Sequence, residues 1–300
     1  MNNKVAPRLG TAISKLRQSP GSRGSRDQRK IVLHYHLFKN AGTSIDQILK
    51  NNFGEQRWRN QEFPSGGGTL AILKGNSCSN AVEDWLRTNP DVQVLSSHTA
   101  VMPLPNIPAT TVFPILFVRH PLTRLQSAYF FQRHRFHAGI DKMATRLAAQ
   151  SDFAGYVSGL MARQNNSMAR NFTAVRLAAA VPGPTNQLEQ RALSALNTLP
   201  FVGSVERFNQ SLSVMEHWLR PHFPGFRADP VWRNATQGQP RSMSDRLDQI
   251  LDDLGPRLYE QALQVNEADL LVHKAAMARI EALYDALSAT TSQGDQGARN

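Results

Sequence analysis

An apolar run that breaks into a small polar loop and resumes with helical spacing most limits how this chain can fold. In "VLHYHLFKNAGTSIDQILKNNF" (32–53), the run 31–38 reads as a buried strand, and Ile45, Ile48 and Leu49 mark a helix from Ser44 to Asn52. Between them stand Lys39, Asn40, Ala41, Gly42, Thr43 and Ser44. Strand, small polar loop, helix is the order that turns backbone N–H groups and a positive helix end toward an anion. Gly42 permits close backbone approach, and a cation and two hydroxyls flank it. A plain strand-to-helix turn capped by Thr43 or Ser44 is the other reading of this loop taken alone.

The order of residues argues against a nucleoside-triphosphate loop. The Walker pattern puts its lysine after the glycines, whereas Lys39 comes before Gly42 and the first glycine is missing. Such enzymes also hold Mg²⁺ with an acid at the end of a neighbouring strand. Here the apolar run 112–118 ends in Arg119, which suits a phosphate group directly. In "FVRHPLTRLQSAY" (117–129), Pro121 sits well for a first helical turn, and Ser127 follows two turns on. Arginine with a hydroxyl suits a phosphate monoester; a surface arginine on a loop is the plain alternative.

Further strands are expected at 91–98 and 199–208, and helices at 83–88, 121–136, 209–219, 245–264 and 266–287. Apolar strands alternating with helices predict an α/β protein with a central, mostly parallel sheet flanked by helices. Ligands bind at the carboxyl ends of strands in such sheets, so the 39–44 loop, His98 and Arg119 should converge. Residues 30–290 form the expected domain, with a disordered basic arm at 1–29 and a flexible tail at 291–300. Residues 1–30 carry eight basic side chains against Asp27 and account for +7 of the +11 net charge. The rest is only mildly basic, which fits a small anionic ligand better than a polyanion. The arm lacks the apolar core of a secretory signal, and peripheral contact with an anionic membrane is open to it. Cys78 stands alone, so no intrachain disulfide is possible. No His, Cys, Asp or Glu set has metal-ligand spacing, and no metal is expected.

The two motifs together resemble the cofactor motifs of carbohydrate sulfotransferases, most closely the heparan sulfate 2-O-sulfotransferase-like group. "HYHLFKNAGTS" resembles H-x-P-K-T-x-G-T-S, and "FVRHPLTRLQSAY" resembles R-D-P-x-x-R-x-x-S-x-Y. "SSHTAVM", "QNNSMARNF", "FVGSVERFNQSL" and "NATQGQPRS" resemble further segments of that group in the same order, so the likeness spans about 31–287. Leu37-Phe38, Asn40 and His120 depart from the pattern, and Asn40 replaces a threonine that would contact the ligand.

The resemblance implies a three-layer, P-loop-like α/β fold and a sulfuryl donor, 3′-phosphoadenosine 5′-phosphosulfate (PAPS), with 3′-phosphoadenosine 5′-phosphate (PAP) as product and no metal required. It implies Lys39 through Ser44 around the 5′-phosphosulfate, Arg119 and Ser127 on the 3′-phosphate, and Arg241 as a further nucleotide contact. It places Lys39 on the departing oxygen and makes His98 the general base, with His36 the runner-up. Glu206 is expected to cap the helix that begins beside it, with orientation of the site as the other reading. The implied acceptor is a hydroxyl of a carbohydrate or glycolipid, and the implied location is cytoplasmic. Two other classes stay open: a nucleotide-dependent kinase on a related scaffold, and a nucleic-acid-binding protein using the basic arm. A strict Mg²⁺ requirement would mark the first, and loss of function on deleting residues 1–29 the second.

Overall fold

The computed structural model describes residues 28–64, 69–74, 78–163, 166, 168–231 and 242–297, with side chains to 289. Five strands form one sheet in which every neighbouring pair is parallel: β1 (Arg29–Tyr35), β2 (Trp58–Asn60), β3 (Val94–Ser97), β4 (Thr110–Val118) and β5 (Gly203–Ser204). The order is β2-β3-β1-β4-β5. The first strand is therefore central, flanked by β3 in the register Tyr35↔Ser97 and by β4 in the register Tyr35↔Leu116. The carboxyl ends of all three lie along one edge, as the sequence predicts for a parallel sheet.

Because β1 is covered on both sides, its apolar residues divide between two cores. Ile31, Leu33 and Tyr35 pack on one face with helices α3 (Ser79–Thr88), α7 (Phe172–Ala178) and α8 (Leu188–Thr198). Val32 faces the other way, against Ile45, Ile48 and Leu49 of α1 (Gly42–Phe53) and against α9 (Phe208–Leu219). Full burial of each Ile or Leu here contributes about 1.5–3 kcal/mol. The helix α11 (Glu267–Gly297) contributes to both cores. A third cluster joins α4 (Pro121–His137), α5 (Met143–Gln150), α6 (Phe153–Met161) and α10 (Met243–Gln264). A short α2 (Thr69–Leu73) completes the helices.

The strand after the first helix, β2, has only three residues and carries no alternation that the sequence could reveal. β1 stops at Tyr35 rather than Phe38, because the loop turns at once: the Leu37 N–H donates to Tyr35 O at 2.8 Å. Arg29, counted with the basic arm in the sequence, is the first residue of β1 and donates to the carbonyls of Leu86, Asn89 and Val92. The last helix continues past residue 290 to Gly297. The arm to residue 27 and Arg241 lie outside the described residues. Among those described, no helix is long and apolar enough to cross a membrane.

Candidate active site

The loop after β1 is built on two non-glycine residues in the left-handed region, Lys39 at φ 64° and Ala41 at φ 61°. Such conformations cost about 1–3 kcal/mol each and persist where the surroundings over-determine them. Two contacts hold this loop. Asn40 donates from its amide nitrogen to Phe117 O at 2.7 Å and from its backbone N–H to Leu37 O at 3.1 Å. The side-chain amide thereby ties the loop to β4, the backbone N–H closes a turn within the loop, and the buried side-chain oxygen is an acceptor, unsuited to an anion. The N-cap of α1, Ala41, has no capping side chain. The first-turn N–H groups at Gly42 and Thr43 therefore stand at a helix end without a side-chain acceptor, with the exposed Thr43 beside them.

Gly42 is required by a neighbour as much as by any ligand. A Cβ there would lie 2.0 Å from His36 Cδ2 and 2.1 Å from His36 Nε2. A Gly42→Ala variant therefore displaces either the buried imidazole or the loop. We expect a loss of about 1–3 kcal/mol in stability by denaturant unfolding, although alanine favours helices elsewhere. Wild-type stability in that variant would mean that the His36 ring is free to move.

Lys39 and Arg119 come from separate motifs and meet at this edge. Arg119 donates from Nη1 to Lys39 O at 3.0 Å and from Nε to Thr123 Oγ1 at 3.2 Å. Ser127 lies one turn beyond Thr123 on the same side of α4. Burial pushes the Arg119 guanidinium down to about 10; Glu206 opposes the shift, while Arg246 and Arg124 add to it. Lys39 Nζ stacks 4.3 Å from the Phe131 ring centroid, and Arg135 lies 5.5 Å from the same ring. Burial, with Arg119 nearby, brings the Lys39 ammonium down to about 8. Phe131 thus supports the cation of the site.

Arg124 and Tyr129, the other fixed letters of the second motif, face the interior. Arg124 donates to Met168 O at 2.7 Å and lies over the Phe172 ring, and Tyr129 donates to Ser151 O at 3.1 Å. Glu206 does not cap the helix beside it, as the sequence led us to expect. It accepts from the His120 N–H at 3.0 Å, from Ser204 Oγ at 3.2 Å and pairs with His273 Nε2 at 3.0 Å. Burial alone would raise its carboxyl; the bond from His273 and these other partners bring it down to about 2. The turn that carries Arg119 is therefore pinned by a buried carboxylate that follows the next strand, β5.

His98 follows β3 and is exposed, with Nδ1 2.9 Å from His36 O and the two imidazole centroids 3.9 Å apart. His36 is buried and its Nδ1 lies 2.9 Å from Asp46 Oδ2. The other oxygen of Asp46 is 2.7 Å from His34 Nδ1. Burial would raise the Asp46 carboxyl, but the two imidazoles hold it below the usual carboxylate range. His34, His36 and Asp46 have ligand atoms within 4.8 Å of one another, a spacing that could hold an ion. That corrects the sequence expectation that no such set exists: the fold folds α1 back over β1. Each Nδ1 is engaged by the Asp46 carboxylate, so hydrogen bonding accounts for the cluster.

The fold is that of a P-loop-like α/β protein with a cationic loop-to-helix junction at its strand ends. Residues 25–274 match the model of the Sulfotransferase family, and the chain belongs to that family. It is also 33% identical over 253 residues to an uncharacterized protein of Archaeoglobus fulgidus, covering 81% of this chain and 94% of that protein.

Proposed function

We propose that this protein moves a sulfuryl group from PAPS to a hydroxyl of a carbohydrate or glycolipid acceptor, without a metal, in the cytoplasm. The meeting of Lys39 and Arg119 beside an uncapped helix start carries this reading. An anionic donor with phosphate groups at two places needs cations at two places, and the chain supplies them from two motifs. PAPS would supply the activated sulfuryl group for in-line transfer to the acceptor oxygen.

The N–H groups that open α1, with Thr43 and Ser44, would hold the 5′-phosphosulfate end. Arg119 and Ser127 would hold the 3′-phosphate, with Arg241 as a further contact. Lys39 Nζ would neutralise charge on the oxygen that departs, a role in which fixed donors are worth most when water is excluded. His98 would take the acceptor proton at Nε2. It suits this role better than His36, because His36 is buried and both edges of its ring are occupied.

The strand beside the loop ends in Arg119 where a nucleotide kinase would place a metal-binding acid. Arg119→Ala should therefore weaken PAP at least about 30-fold, the equivalent of about 2 kcal/mol for lost charge-assisted bonds. ADP, which lacks the 3′-phosphate, should bind the variant and the wild type alike in calorimetry. An equal loss for both ligands would move Arg119 away from the 3′-phosphate.

A further inference from the structure

We propose that Glu62 and Asp46 are positioning residues for His98, holding it from two sides so that Nε2 alone faces the acceptor. The proposal rests on the reading of His98 as the general base. An exposed histidine at a strand end ordinarily samples several rotamers and both neutral tautomers. A base that must meet an acceptor hydroxyl in one geometry gains from losing that freedom.

Glu62 fixes the main chain. It follows β2, and β2 pairs in parallel with β3, so its carboxylate reaches across the exit of the strand that carries His98. Its oxygens accept from the His98 N–H at 3.1 Å, from the Thr99 N–H at 2.9 Å and from Thr99 Oγ1 at 2.8 Å. Ser97 Oγ donates to it at 3.3 Å. One carboxylate thus gathers donors from three successive residues centred on His98, and such ionised acceptors make the stronger hydrogen bonds.

Asp46 fixes the ring through His36. A carbonyl only accepts, so the 2.9 Å contact between His98 Nδ1 and His36 O puts the proton on Nδ1 and leaves the lone pair on Nε2. The His36 carbonyl is itself immobilised. Its side chain is held by Asp46, its N–H donates to Ser97 O at 2.9 Å, and its ring abuts Gly42. The same residue therefore touches the donor loop with its ring and the base with its carbonyl.

The titratable groups that face His98 are His36, Glu62 and Asp46. Although the residue is exposed overall, partial loss of solvent where its ring meets the protein, with His36, pushes the imidazole below its ordinary value; the bond to His36 O, Glu62 and Asp46 push it back up. Removing either carboxylate charge should lower its titration midpoint further.

The test uses full-length protein labelled with ¹⁵N-histidine and saturated with PAP, titrated by NMR. We expect a single Nδ1-protonated tautomer for neutral His98 in the wild type. Glu62→Gln should keep that tautomer and move the midpoint to lower pH. Glu62→Ala should give a mixture of tautomers, and Asp46→Asn should lower the midpoints of both His98 and His36, with PAP affinity unchanged in every variant. Transfer of the sulfuryl group from PAPS to water, followed as the PAP formed, gives a second readout. Glu62→Ala should slow it at least about tenfold in the wild type and have no further effect in a His98→Ala background. An unchanged tautomer and midpoint in these variants, or an equal loss in both backgrounds, would overturn the proposal while leaving the base in place. Wild-type conversion by His98→Ala would remove the base itself, and the proposal with it.

Discussion

Replacing His98 with alanine should lower kcat by about 10²–10⁴, the usual worth of a positioned general base, and leave PAP affinity within about twofold. The separation follows from where the side chain sits. His98 leaves β3 at the carboxyl end of the sheet, and its only described hydrogen bond from the ring goes to the His36 carbonyl, not to the loop around Lys39. Among the described residues, the nearest imidazole, that of His36, is poorly placed to take over. It is buried, its Nδ1 is held by Asp46, and its Cδ2–Nε2 edge lies against Gly42. His36→Ala should therefore lower activity by disturbing the loop and the carbonyl that holds His98, and should weaken PAP as well. Loss of PAP affinity in the His98 variant would place this residue on the donor instead.

Lys39→Met should lower kcat by about 10²–10³, as loss of one fixed donor to a developing negative charge does elsewhere, and should weaken PAP too. Lys39→Arg should recover little of the lost rate, because a planar guanidinium does not place its charge where a compact ammonium does. The pH profile supplies the sign. In the proposed reaction Lys39 acts protonated, and burial beside Arg119 has brought its pKa down to about 8. In the proposed reaction His98 acts as the neutral base, and partial loss of solvent around its ring lowers its pKa from the ordinary histidine value. In the free enzyme, kcat/KM should rise as pH passes upward through the lowered His98 value and fall as it passes about 8. In Lys39→Met the alkaline fall should disappear while the acid limb remains. A fall near pH 8 that survives the substitution would belong to another group.

Much of this site could be read in the chain because it is local. Lys39 to Ser44 are consecutive, and the apolar run before them and the helical spacing after them dictate where the loop must lie. Arg119 and His98 were legible for the same reason, as the residues at which buried strands stop. What escaped the sequence depends on contacts across the fold. Asp46 looks like any polar residue in an amphipathic helix until α1 folds back over β1 and brings it to His34 and His36. Glu62 sits after a three-residue strand with no alternation to announce it. Glu206 stands beside a helix start, where capping is the local expectation, but its partners are His120 and His273, from distant segments. Asn40 was legible in position and not in role, since its amide turns inward to Phe117 O.

The most direct measurement is a calorimetric titration of the wild-type protein with PAP and, separately, with ADP, both without metal. Sulfuryl transfer from PAPS predicts micromolar PAP binding, at least about 30-fold tighter than ADP, since about 2 kcal/mol rests on the 3′-phosphate. Equal affinity for the two ligands, with binding that appears only when Mg²⁺ is added, would contradict it and point to a nucleotide kinase.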